Sequence, residues 1–153
     1  MRQAKLTFIF IIVNFSGLAI GNWFMDGGPM TDWYINLKKA PWTPPGWVFG
    51  VAWTTIMICF SIYLGKLFLV ENSKKMTAIF IIQFILNVSW NFLFFKQHWV
   101  FLGLINLSLL TALLFFYFFK FSKKVKNYKY LLLPYIIWLC IATSLNLYVL
   151  IHN

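Results

Sequence analysis

The side chains with chemistry to offer are amides and indoles. Gln83, Asn87 and Asn91 recur every fourth residue, which on a helix sets them in one stripe. Trp138, Ala142 and Asn146 repeat that spacing later in the chain. A small residue between a large ring and an amide leaves a recess about one helical turn tall. Trp53, Trp90 and Trp138 lie well inside apolar runs. An interfacial aromatic belt accounts for Trp23, Trp33 and Trp99 but not for these three. Indole faces stack on flat aromatic molecules, amides hydrogen-bond their rims, and indole is the most readily oxidised side chain available. This combination can bind a flat, largely apolar ligand, and electron transfer from a tryptophan is the one reaction it offers. The amide stripe has a second reading, as glue between helices. On the residues alone both readings stand.

Other chemistries lack their parts. The chain has three acidic residues, Asp26, Asp32 and Glu71. All flank apolar runs, with Glu71 on the opposite side from the other two, so a paired acid/base site is not expected. His98 and His152 are far apart and have no nearby Cys or carboxylate, so no metal site or cofactor is expected. Cys59 and Cys140 lie inside apolar runs and read as small buried hydrophobes. No charged residue stands near the middle of any apolar run, which disfavours ion-coupled transport.

The elements that must position the amides and indoles follow from composition. Of 153 residues, 61% are apolar and 10% charged, and mean hydropathy is +0.78. Soluble domains run to roughly 45–50% apolar and about 25% charged, so a soluble enzyme is excluded and an integral membrane protein expected. Apolar runs at 6–25, 46–70, 76–95, 99–119 and 131–151 each match the roughly 20 residues that a helix needs to cross a bilayer. The expected fold is all-α, a single membrane domain of five transmembrane helices. Residues 26–45 form a long loop on one side, and Pro41-Trp42-Thr43-Pro44-Pro45-Gly46-Trp47 reads within it as a rigid lid. A signal peptide is the rival reading of the first run, which is long for one.

Ten basic residues fall on the side of the N-terminus and three (Lys38, Lys39, Lys96) on the other. That asymmetry predicts a cytoplasmic N-terminus in the plasma membrane, with loop 26–45 and the C-terminus outside. The net charge of +10 therefore fits membrane lipid as the partner, and nucleic acid is not expected. Lys38 and Lys39 are the cations at the outer mouth that could meet a carboxylate, or simply solvated flanking charges. Gly17-x-x-x-Gly21 allows a close helix approach, within the bundle or in a dimer.

Three blocks resemble the translocator protein family (peripheral-type benzodiazepine receptor, tryptophan-rich sensory protein, TspO/MBR), in its bacterial members. They are Trp33-Tyr34 with Leu37, Lys39, Trp42, Pro44-Pro45, Trp47, Val48-Phe49-Gly50 and Trp53; Gln83 with Leu86-Asn87, Trp90 and Phe94-Phe95; and Pro134-Tyr135 with Trp138, Ala142-Thr143 and Leu145-Asn146. The resemblance implies a five-helix homodimer that binds porphyrins such as protoporphyrin IX in a cavity beneath the first loop. Carried over by position, the pocket would comprise Tyr34, Trp42, Phe49, Trp53, Asn87, Trp90, Trp138, Ala142 and Leu145. Bacterial relatives are linked to light-dependent porphyrin breakdown, for which Trp53 and Trp138 are the matching redox candidates. Two departures stand out. The order Lys39-Ala40-Pro41-Trp42 differs from the family's usual Lys-Pro, and Tyr148 lacks the following Lys or Arg of a cholesterol-recognition pattern. The expected function is a porphyrin-binding membrane receptor or sensor. The alternatives are light-dependent porphyrin degradation and passive transport.

Overall fold

The computed structural model describes residues 1–153 and contains only helices and connecting turns. Helix α1 spans Arg2–Phe24, and a 3₁₀ turn at Gly28–Met30 leads to the short α2 at Asp32–Asn36. Helix α3 covers Gly46–Val70, and α4 covers Lys74–Asn91 before widening into a π-helical turn at Phe92–Lys96. Helix α5 covers Val100–Lys120, followed by the one-turn α6 at Ser122–Val125, a 3₁₀ segment at Lys126–Leu132, and α7 at Leu133–His152. Five stretches are long and apolar enough to cross a bilayer: Arg2–Met30, Gly46–Val70, Lys74–Lys96, Val100–Lys120 and Ser122–His152. The chain is an all-α integral membrane bundle.

Local chemistry sets the ends. The run Pro41–Pro45 cannot enter a helix, so α3 starts at Gly46 directly after Pro45. The Ser73 hydroxyl accepts from the Met76 N–H at 3.2 Å and starts α4. Leaving α1, the chain turns through positive φ at Asp26, Gly27 and Gly28, a region where glycine meets no steric penalty. Along the spans, several hydroxyls bond back into their own helix. Thr55 donates to the Val51 carbonyl at 2.9 Å, Ser108 to Leu104 at 2.8 Å and Thr111 to Leu107 at 2.7 Å. Such bonds keep these hydroxyls from meeting hydrocarbon unpaired.

The helices close a ring in the order α3, α1, α4, α5, α7 and back to α3. Glycines make the α1–α4 contact possible. A Cβ at Gly17 would lie 2.6 Å from Phe84, and one at Gly21 would lie 2.6 Å from the Asn91 amide. The Gly17/Gly21 face is therefore used inside the bundle.

Packing differs between the two ends. Toward the lysine-rich end, Phe60, Tyr63, Leu64, Leu67, Leu114 and Tyr117 are fully enclosed. Toward the end closed by loop 26–45, the bundle is hollow. Val125 and Leu132 are buried in the segment before α7, so that segment forms the bottom of the fifth span and α7 begins partway up the bundle. Trp138 consequently stands higher than counting from residue 131 implies. Its ring meets Phe49, in the first turn of α3, edge-on with centroids 5.1 Å apart. Cys140 also departs from expectation, lying exposed on the bundle's flank.

At the lysine-rich end, Lys124 pairs with Glu71. That hydrogen bond, with the charge behind it, holds the Glu71 carboxyl below its ordinary range. A depressed carboxylate pKa gives stability at neutral pH that fades as pH falls through the lowered value, although an exposed pair contributes little.

The contrast between the ends yields a test. A Cβ at Gly65 would collide with Thr7, whose backbone nitrogen lies 3.0 Å away, whereas one at Gly46 meets nothing within 4 Å. Gly65→Ala should lower the melting temperature in detergent by several degrees, and Gly46→Ala should leave it unchanged or raise it slightly. Thermal unfolding followed by intrinsic fluorescence measures both.

Candidate functional site

The lid is built from the inside out. Thr31 caps α2 by accepting from the Tyr34 N–H at 3.4 Å. The Lys39 ammonium donates to the carbonyls of Ile35 at 3.0 Å and Leu37 at 3.3 Å, satisfying the orphan groups at the end of α2. It also lies 4.9 Å from the centre of the Tyr34 ring. Lys39 is thus tied into the lid and does not serve as a free cation at the mouth. A turn follows, in which the Thr43 N–H and hydroxyl both donate to Ala40, at 2.9 and 2.7 Å.

Helix α7 clasps this loop from the other side. The Asn153 side chain accepts from the Lys38 N–H at 2.9 Å and donates to the Lys38 carbonyl at 3.3 Å. The Trp42 indole N–H donates to the Ser144 hydroxyl at 3.2 Å, and its ring meets Tyr148 edge-on. Trp33 stacks on His98 with centroids 4.0 Å apart. Trp47, expected to help cover the opening, is 71% exposed.

Beneath the lid lie two adjoining recesses. The larger, about 510 Å³, sits between α1, α3 and α4, and Phe49, Trp53, Asn87, Trp90 and Phe95 are among its walls. The smaller, about 50 Å³, lies directly under the loop and is lined by Tyr34, Phe49, Trp90, Ala142, Leu145 and Asn146, among others. Phe49, Trp90 and Phe95 belong to both and form the partition.

The residues singled out in the sequence therefore separate into groups. Trp53 and Asn87 face the large recess, Tyr34, Ala142 and Leu145 the small one, and Phe49 and Trp90 both. Trp138 borders neither recess; it backs Phe49 from behind. Trp42 fastens the lid to α7 outside both.

The amide stripe serves both of its readings at different heights. Gln83 donates to the Tyr135 hydroxyl at 3.1 Å, and that hydroxyl donates to the Asn87 carbonyl oxygen at 2.7 Å. Gln83 is helix glue, and Asn87 is glue through its oxygen while its residue borders the cavity. Asn91, one turn further, lines the cavity with Asn22 of α1. Burial pushes the Tyr34 phenol above its ordinary range, so it stays a neutral hydroxyl donor at physiological pH.

Helix α1 supplies wall residues that the sequence does not mark: Phe15, Leu18 and Ala19 line the large recess. Only Gly17 and Asn22 signalled that face, because apolar cavity residues look the same as lipid-facing ones. The recess is open on the α1–α3 flank, where Ala19, Asn22, Gly50 and Thr54 are all exposed. A Cβ added at Gly50 would meet nothing within 4 Å.

The sequence has known relatives. The TspO/MBR family profile matches residues 9–152. The chain is 32% identical over 143 residues to the tryptophan-rich protein TspO of Archaeoglobus fulgidus, covering 89% of this chain and 91% of that protein. It is 32% identical over 118 residues to a tryptophan-rich sensory protein of Cereibacter sphaeroides, covering 75% and 73%. It is 29% identical over 138 residues to the human translocator protein, covering 85% and 79%.

If the clasp holds the lid, Asn153→Ala should speed backbone hydrogen exchange at 37–43 severalfold and leave α3 and α5 unchanged. Exchange mass spectrometry in detergent reads both regions.

Proposed function

Because the chain belongs to the TspO/MBR family, we propose that it is a membrane receptor or sensor that binds a flat, apolar aromatic molecule of the porphyrin type in its hollow half. The observation that carries this reading is the large recess. Aromatic faces from α3 and α4 wall a space of about 510 Å³, and Asn22, Asn87 and Asn91 supply a polar minority, the usual composition of a small-molecule site. The opening on the α1–α3 flank and the fastened lid favour a ligand dissolved in the bilayer over one arriving from water. Its similarity to a tryptophan-rich sensory protein supports a sensing role.

Ten basic residues at one end against three at the other support a cytoplasmic N-terminus in the plasma membrane, with the lid outside. A homodimer would pair a face other than Gly17/Gly21, which α4 already occupies.

A second reading, light-dependent porphyrin degradation, draws on Trp53. Its indole borders the large recess and its N–H makes no bond within the protein, while Tyr135 stands edge-on with centroids 5.9 Å away. A photoexcited ring in the recess would take an electron from Trp53 directly, whereas Trp138 is screened by Phe49.

Protoporphyrin IX titrated into the purified protein should quench tryptophan emission at micromolar concentration, and unchanged emission would overturn the binding reading. Trp53→Ala should weaken binding about three- to tenfold, the range expected for one lost stacking partner. Gly50→Leu should slow association by narrowing the flank opening. Under illumination, Trp53→Phe should slow porphyrin loss and Trp138→Phe should not; equal rates in wild type and Trp53→Phe would remove the second reading.

A further inference from the structure

Trp90 is the one residue of the partition that a hydrogen bond holds in place. Phe49 is backed by the Trp138 ring and Phe95 by Tyr34 and Phe94. The Trp90 indole stacks on Phe94 at 5.2 Å, and its N–H donates to the Asn146 side-chain oxygen at 3.2 Å. The Asn146 amide nitrogen in turn donates to the Val100 carbonyl at 2.9 Å. That second bond fixes which way the amide faces and leaves its oxygen for the indole. Asn146 is 2% exposed, so losing either bond strands a buried polar group.

This pair fits closely against α5 at a point where α5 has no side chain. A Cβ at Gly103 would lie 3.1 Å from the Asn146 oxygen and 3.5 Å from the Trp90 indole nitrogen. The first distance is tighter than an ordinary van der Waals contact, and the atom that must give way is the oxygen that accepts from the indole; the second is ordinary contact. Neither Gly103 nor Val100 borders a recess, and no residue of α5 does.

We infer that Gly103 and Asn146 are positioning residues: they hold Trp90 as the wall between the two recesses and thereby set the size of ligand the protein accepts. The inference about size rests on the ligand-binding reading above. With the bond intact, the space of about 510 Å³ stays divided from the 50 Å³ beneath the lid. With it broken, the indole swings and the two spaces join.

The test has one arm without ligand and one with it. In protein labelled at the indole nitrogens, the Trp90 resonance is identified by its loss in Trp90→Phe. Gly103→Ala should move the Trp90 indole proton toward the position of a free N–H and leave the other tryptophans unshifted. Asn146→Leu should do the same without adding bulk on α5, which covers the case in which Gly103→Ala fails to fold. Both variants should shift relative affinity about tenfold from protoporphyrin IX toward a bulkier meso-tetraphenylporphyrin, the factor that corresponds to one buried hydrogen bond. In the Trp90→Phe background, Gly103→Ala should alter neither affinity. A Trp90 resonance unmoved in both variants overturns the positioning role. An unchanged affinity ratio, or an equal effect of Gly103→Ala in the Trp90→Phe background, overturns the size role. Wild-type protein that binds neither porphyrin sinks the ligand reading and the size role with it, while the ligand-free resonance still decides the positioning.

Discussion

A polar group inside a bilayer has no water to fall back on. Much of this bundle answers to that constraint. Thr55, Ser108 and Thr111 bond to their own helices, Asn14 donates to Ser61 at 2.8 Å across the α1–α3 contact, and Gln83, Tyr135 and Asn87 share one hydrogen-bonded node between α4 and α7. The amides face inward because facing lipid would leave them unpaired. Once inward, they fix which side of each helix meets its neighbours.

The constraint also explains why the hollow sits where it does. Interlocked aromatic and leucine side chains, with Gly65 set against Thr7, fill the lysine-rich half. In the other half the inward side chains are amides, glycines and large rings that cannot interdigitate, so space remains. The π-helical turn after Asn91 lets the consecutive Phe94 and Phe95 both turn inward, at 4% and 7% exposure, and they frame that space. The loop across its end is secured to α7 by Asn153 and Trp42, so the free opening lies on the flank.

How much of this was legible in the sequence depended on whether a residue's type constrains its surroundings. Uninterrupted apolar runs of about 20 residues admit one solution in lipid, so the five spans and the all-α class could be read directly. Asparagines at four-residue spacing could be assigned to one inward stripe for the same reason. The contribution of α1 to the cavity was not legible, because Phe15, Leu18 and Ala19 would satisfy a lipid-facing position equally well. Trp138 stands higher than a span beginning at residue 131 would set it, because the fifth span begins at Ser122 and nothing in Lys126–Leu132 announces that this segment is helical. Lys39 looked like a free cation until the short α2 supplied carbonyls for it to bond.

By itself, then, the sequence determined that the chain crosses a membrane five times, that its amide stripe lies on one face of a helix, and that prolines stiffen the loop between the first two spans. These are consequences of transfer free energy and of backbone chemistry, which act residue by residue. Only the tertiary structure decided that Gln83 binds helices together while Asn91 lines a cavity, that Trp138 stands behind Phe49, and that the hollow is split in two at Trp90. Those outcomes hang on distances between helices far apart in the chain, and such distances are set by the sum of all contacts, not by any one residue's type.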